Sequence, residues 1–255
     1  MDIDSIVEKV IEQRKSSLIG LFGNSGRQIE FLYLDSLKPS WIRTIQDLIS
    51  LVPKGGTVLE IGSFFGIVSI SLSKLGFIVV AFDRPEIQIN SKIMKSYLDN
   101  QIQIVSGDLK DIPSVTLPFK NDLFDFVVIC EVLEHLNFNP IPVLQDIHRV
   151  IKPGGMLYLS VPNQTRLRNR WNILCGRSIR NPIEDFINLP EADHHWREYT
   201  LIEIDKLLAL CDFSIRKNYY WSGNSLSINR KLLIKLLKKS IPSFRDNITA
   251  IARKT

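Results

Sequence analysis

Cysteine is scarce in this chain. Three occur in 255 residues, Cys130, Cys175 and Cys211, too widely spaced to make a metal-ligand pattern. Such sparing use excludes a small disulfide scaffold and fits a reduced compartment. Histidine is also scarce: four residues, at positions 135, 148, 194 and 195, confine imidazole chemistry to a few places. No apolar run approaches the ~20 residues that a membrane-spanning helix needs. The acidic start Met1-Asp2-Ile3-Asp4, followed by an amphipathic pattern, is unlike a signal peptide, so the expected residence is cytoplasmic. Repeats and low-complexity tracts are absent. The net charge of +5 is mild for a chain of this size, and nucleic acid is not the expected partner.

The most informative segment is Thr57-Val-Leu-Glu-Ile-Gly-Ser-Phe-Phe-Gly66, followed seventeen residues later by Asp83 at the end of Phe77-Ile-Val-Val-Ala-Phe82. A buried strand, a glycine turn, a helix and a second buried strand ending in a carboxylate make a seat for an adenosine-like ligand. A nicotinamide fingerprint places glycines at the first, third and sixth positions of the turn. Here those positions hold Gly62, Phe64 and Ile67, so the turn is not built for a pyrophosphate.

Further along, apolar runs alternate with helical patterns. Helices are expected over 3–20, 27–35 and 41–52, the last two separated by Pro39, then over 67–75, 86–98, 141–151, 201–210 and 226–239. Strands are expected at 57–61, 77–82, 102–105, 124–129, 156–161, 213–220 and 247–252, with Lys152-Pro-Gly-Gly155 ending a helix. Continuous apolar strands alternating with helices mean an α/β doubly wound, mostly parallel sheet, with the last strand antiparallel. Residues 1–50 read as a helical cap and 51–255 as the main domain. Sheet regularity lapses over 163–198, a helical and loop insertion on the acceptor side, and 226–240 read as an additional basic helix. Thr200 and Glu203 have the spacing of a capping box.

In this order and spacing the motifs resemble the class I, S-adenosylmethionine-dependent methyltransferases, over roughly residues 40–221 and the last strand. Val58-Leu-Glu-Ile-Gly62 resembles the family's first motif, with Gly62 and Gly66 kept and Phe64 in place of the middle glycine. Asp83, Gly107-Asp-Leu109, Phe124-Asp-Phe-Val-Val128, Glu131-Val-Leu-Glu-His135 and His148 to Gly155 match later motifs, and the segment read from His195 to Thr200 is similar to one that precedes the family's late helix. The resemblance implies a Rossmann-like seven-stranded sheet of order 3-2-1-4-5-7-6 and S-adenosylmethionine (SAM) as cofactor. Asp83 would accept the ribose hydroxyls, with Arg84 beside it. Asp108 would face the adenine amino group and Leu109 its ring. Gly62, Ser63, Phe64 and Gly66 would approach the methionine end, and Cys130 would close the strand-four side. Glu60 would hold either the loop or the cofactor's amino group. At Phe64, a positive φ would be strained. No metal is expected, since His194 and His195 with Asp193 lack a distant third ligand.

The Glu131–His135 segment resembles small-molecule O-methyltransferases of quinone precursors, sugars and lipids, and not the Asn/Asp-Pro-Pro-Tyr segment of base-amino enzymes. His135 is then the leading candidate base, or a histidine that only binds the loop, with Glu131 and His195 beside it. Arg166, Arg168, Arg170, Arg177 and Arg180 would suit an anionic acceptor. The 226–240 helix could touch an anionic membrane or simply cap the core. RNA methylation and non-catalytic cofactor binding remain the alternatives.

Overall fold

Seven runs, most of them rich in β-branched and aromatic residues, pair into one sheet. The computed structural model describes residues 2–18, 23–88, 91–112, 116–180, 182–188, 194–223 and 231–255. Helices α1 (Ile3–Leu18) and α2 (Gly23–Leu51) precede β1 (Thr57–Ile61). Next come α3 (Ile67–Lys74), β2 (Ile78–Asp83), α4 (Pro85–Gln88), α5 (Ser91–Asp99), β3 (Gln103–Ser106) and β4 (Phe124–Cys130). The second half runs α6 (Ile141–Val150), β5 (Ile151–Pro162), α7 (Leu167–Leu174), α8 (Ile183–Asn188), α9 (Leu201–Ala209), β6 (Phe213–Trp221), α10 (Lys231–Ser240) and β7 (Asn247–Lys254).

The strand order is β3-β2-β1-β4-β5-β7-β6. Strands β1 to β5 pair in parallel, and β7 runs antiparallel to both β5 and β6. This is the expected doubly wound sheet. The order reverses between β1 and β4, and the carboxyl ends of the strands on either side of that switch form the edge where α/β sheets take ligands. Alternate residues feed two cores. Leu59, Ile61, Val127, Ile129, Leu157 and Leu159 pack with Val143 and Leu144 of α6 and Ile204 and Leu208 of α9. Val58, Phe126, Val128 and Tyr158 pack on the other face with Val7, Val10, Leu34, Ile45, Leu48 and Ile70. No helix among the described residues is long and apolar enough to cross a membrane.

Two expectations are corrected. Pro39 does not separate two helices: it lies inside α2. Proline removes one intrahelical hydrogen bond, but Leu34, Ile45 and Leu48 are fully buried on either side of it, and that burial outweighs the loss. Lys152 to Gly155 do not separate α6 from β5. They lie within the strand as an irregularity, where pairing passes from Phe124–Ile151 to Phe126–Met156, with Gly154 at φ 76°. Residues 163–198 contain α7 and α8, the helical and loop insertion expected after the fifth strand. The helix expected over 86–98 is found as α4 and α5, and the 226–230 part of the basic helix lies outside the described residues. The Thr200 capping box is present, the threonine side chain accepting from Glu203 N and the Glu203 side chain from Thr200 N.

Candidate active site

The glycine turn leaves β1 at Gly62. Gly62 (φ 76°) and Gly66 (φ 70°) adopt the left-handed backbone open to glycine. A Cβ at Gly62 would come within 2.4 Å of Val132 Cγ2, and one at Gly66 within 2.8 Å of the Tyr97 hydroxyl, so neighbouring side chains close on this turn. Phe64 also has positive φ, 44°, where a bulky side chain costs roughly 1–2 kcal/mol. The strain expected at the middle position is therefore real. Part of it is offset by packing, since the Phe64 and Phe65 ring centroids are 3.8 Å apart.

Asp83 ends β2 beside this turn and is 8% exposed. Its Oδ2 accepts from Phe64 N at 2.6 Å and from Ser63 Oγ at 3.5 Å, and its Oδ1 accepts from Arg84 N at 2.8 Å. Burial raises its pKa against the lowering by these donors. The Tyr97 hydroxyl donates to Ser63 Oγ at 2.9 Å and supports the loop from α5. Asp108 turns partly aside: Lys110 N (3.0 Å) and Lys110 Nζ (2.9 Å) both reach its carboxylate. Leu109 is buried in the core. The Cys130 thiol lies 3.8 Å from Thr44 Oγ1, and burial pushes its pKa well up, which disfavours the thiolate.

Glu60 is the buried acid of β1. Its Oε2 accepts from Ser69 Oγ, which ties the end of β1 to α3. Burial pushes its pKa from the ordinary 4.5 up to about 8. The folded chain thus holds a proton that the unfolded chain releases. The stability this contributes is complete below about 4.5 and is lost as pH rises to about 8. Glu60→Gln should match wild type near pH 5 and exceed it by on the order of a few kcal/mol near pH 9, as urea unfolding at the two pH values would show. Parallel stability profiles for the two chains would contradict the assignment.

The second cluster lies just beyond β4. Glu131, at φ 55°, accepts from Ser160 Oγ at 3.0 Å. Glu134 is fully buried, and as a carboxylate neither side-chain oxygen has a donor. Burial first, then the charge of Glu131, holds its pKa well above the usual range; burial also raises Glu131, eased by Ser160 and His195. His135 Nδ1 lies 3.1 Å from the His194 carbonyl oxygen, and the His135 and His195 ring centroids are 4.7 Å apart, edge to face. His195 Nδ1 is 3.9 Å from Glu198, which Arg166 (2.7 Å) and Asn169 (2.8 Å) hold in place. Glu134, His135 and His195 each offer a ligand atom, all within 4.8 Å of one another, and could hold a metal ion.

The expected site residues therefore gather into two groups: Glu60, Gly62, Ser63, Phe64, Gly66, Asp83 and Arg84 around the turn, and Glu131, His135 and His195 beyond β4. Arg197 pairs with Glu203, 2.6 Å away. Asp193 lies outside the described residues. Glu134, Ser160, Glu198 and Tyr97 had no expected role. For Glu134 a signal existed, an acid two residues after Val132 in an apolar turn; the others depend on tertiary neighbours.

The sheet order, the glycine turn and the acid at the end of β2 define the class I methyltransferase fold. A methyltransferase-domain family model matches residues 33–216, most of the chain, and the chain belongs to that family. Rat mitochondrial ubiquinone biosynthesis O-methyltransferase is 30% identical over 149 residues, 57% of this chain and 40% of the rat protein. The ubiquinone biosynthesis O-methyltransferase of Pseudomonas paraeruginosa is 30% identical over 177 residues, 68% of this chain and 69% of that protein. This chain therefore spans less than half the length of the rat relative. A solved SAM-dependent methyltransferase from Methanosarcina mazei shares the fold with a TM-score of 0.56 at 19% identity, covering 82% of this chain and 96% of that one.

The residues fit SAM, the cofactor of this class. Gly62 and Gly66 take the positive φ that shapes the turn, with Val132 and Tyr97 packed against it. The buried Asp83 carboxylate keeps acceptor capacity beyond its bonds to the loop, since a carboxylate offers about four lone-pair sites.

Proposed function

We propose that this chain moves the methyl group of SAM to a hydroxyl oxygen of a small, quinone-like acceptor. The observation that carries this reading is the gathering of Glu131, Glu134, His135 and His195 just past the tip of β4, on the strand edge that also holds Asp83 and the glycine turn. SAM supplies a methyl group already activated on a sulfonium. The chain has to align the acceptor, exclude water and take up the hydroxyl proton. His135 is the base. A carbonyl oxygen can only accept, so His135 Nδ1 donates to His194 O, and that tautomer presents Nε2 as the proton acceptor. The Glu131–Glu134 pair, holding one negative charge, stabilises the imidazolium as it forms.

The names of the ubiquinone-pathway relatives support a quinone-like ring. An anionic or strongly polar substituent is supported by a cavity of about 270 Å³ lined by Gln164, Arg180, His195, Trp196, Arg197 and Glu198. Peripheral contact of α10 with an anionic membrane is part of the same reading, supported by Leu236, 52% exposed, beside exposed Lys239. In a second reading, supported by the unbonded Glu134 oxygens, a divalent cation held by Glu134, His135 and His195 would replace the base by acidifying the hydroxyl.

Calorimetry with SAM and S-adenosylhomocysteine (SAH), followed by transfer of labelled methyl to catechols, sugar hydroxyls and RNA, tests the proposal. The expected result is binding of both nucleosides and labelling of a catechol at oxygen, with RNA unlabelled. Tight SAM binding with no transfer to any hydroxyl acceptor would favour a non-catalytic cofactor-binding protein.

A further inference from the structure

Arg14 has no place in the chemistry described so far. It lies in the last third of α1, is 1% exposed, and its Nε, Nη1 and Nη2 have no hydrogen-bond partner. Among the described residues its polar contact is with the Tyr97 ring, whose centroid is 5.7 Å from Cζ. A guanidinium cannot shed its proton in a protein. Burying an ion without a counter-charge costs several kcal/mol, and a cation–π contact offsets about 2 kcal/mol of that. Three buried, unbonded nitrogens on one permanent cation point to a missing anion.

The location narrows the anion. The Tyr97 hydroxyl reaches Ser63 Oγ at 2.9 Å and the Phe64 carbonyl at 3.3 Å, and a Cβ on Gly66 would fall 2.8 Å from it. Arg14 is thus one aromatic ring away from the glycine turn. Glu60, at the root of the same turn, is a buried carboxyl close enough to Tyr97 to perturb the phenol. A buried guanidinium near this turn is complementary to a carboxylate, and the uncharged Glu60 carboxyl keeps oxygen acceptors for an ammonium borne on the same carbon, which is the head of an amino acid.

Resting on the methyltransferase reading above, we propose that Arg14 receives the carboxylate of the amino-acid end of SAM and SAH. Two ligands separate this from a packing role. SAH carries the carboxylate. 5′-Methylthioadenosine has the same nucleoside and sulfur but no amino-acid end. Calorimetry on the full chain and on Arg14→Met should show the SAH dissociation constant raised about ten- to a hundredfold, the loss expected for a charge-assisted pair. Methylthioadenosine should bind both chains alike. The ligand-free variant should melt no lower than wild type, because an unpaired buried charge has been replaced by an apolar side chain of similar length. Unchanged SAH affinity, or equal losses for the two ligands, overturns the proposal. If Arg14→Met does not fold, Arg14→Lys, which keeps the charge but not the fork of donors, supports the proposal by weakening SAH alone and overturns it otherwise. A wild-type chain that binds neither ligand sinks the methyltransferase reading, and the role of Arg14 with it.

Discussion

Asp83→Asn should raise the dissociation constant for SAH at least about a hundredfold while the ligand-free chain keeps its fold. The carboxylate serves two sets of donors. Phe64 N and Arg84 N already point at its two oxygens, 2.6 Å and 2.8 Å away. A ribose brings two more hydroxyl donors to the same group. Asparagine has one oxygen, so whichever backbone N–H it accepts, its own NH2 group faces the other donor. The ribose then loses two charge-assisted bonds of roughly 1.5–3 kcal/mol each, which corresponds to about two to four orders of magnitude in affinity. Stability should change far less. The native carboxylate is itself disfavoured by burial, and removing its charge relieves that cost as it weakens the tie to the loop. Calorimetry gives the affinity and circular dichroism the fold. A variant that binds SAH within about threefold of wild type would place the ribose elsewhere.

The sheet could be read from sequence because its strands are short, continuous apolar runs closed by turn residues. Val58, Leu59 and Ile61, and Phe126 to Ile129, are all at most 1% exposed. A strand buried on both faces leaves no other reading of such a run. What could not be read depends on neighbours distant in sequence. Pro39 ordinarily ends a helix, and only the burial of Leu34, Ile45 and Leu48 keeps α2 whole. Helix α7 exposes Trp171, Ile173 and Leu174 and buries Asn169, the reverse of the pattern that identifies a helix. Its position is set by polar bonds, Asn169 to Glu198 and Arg166 to Glu198, which have no periodicity. The site divides in the same way. Asp83 and the glycines follow from a fixed spacing. Glu134 and Arg14 acquire meaning only when the fold shows that the one is a buried carboxyl beside a second carboxyl and the other a buried cation without an anion.

His135→Ala should lower kcat by about two to four orders of magnitude, the usual range for a lost general base, and leave SAH affinity within about twofold of wild type. The separation follows from position. His135 sits beyond β4 in contact with His194 and His195, while the groups assigned to the nucleoside lie on β1, β2 and the turn between them. The substitution also leaves Glu131 and Glu134 with no imidazole beside His195 to share their charge. Binding and turnover should therefore fail separately: Asp83→Asn loses the cofactor, and His135→Ala loses the proton transfer. Assays at rising pH decide between the two ways of activating the hydroxyl. With a histidine base, more of the acceptor ionises in solution as pH rises, and the variant recovers relative to wild type; a chelator leaves the wild-type rate unchanged. With a cation on Glu134, His135 and His195, the chelator stops wild type, and excess divalent ion partly restores the variant. A His135→Ala chain with wild-type kcat would remove both readings, because one uses that imidazole as the base and the other as a ligand of the cation.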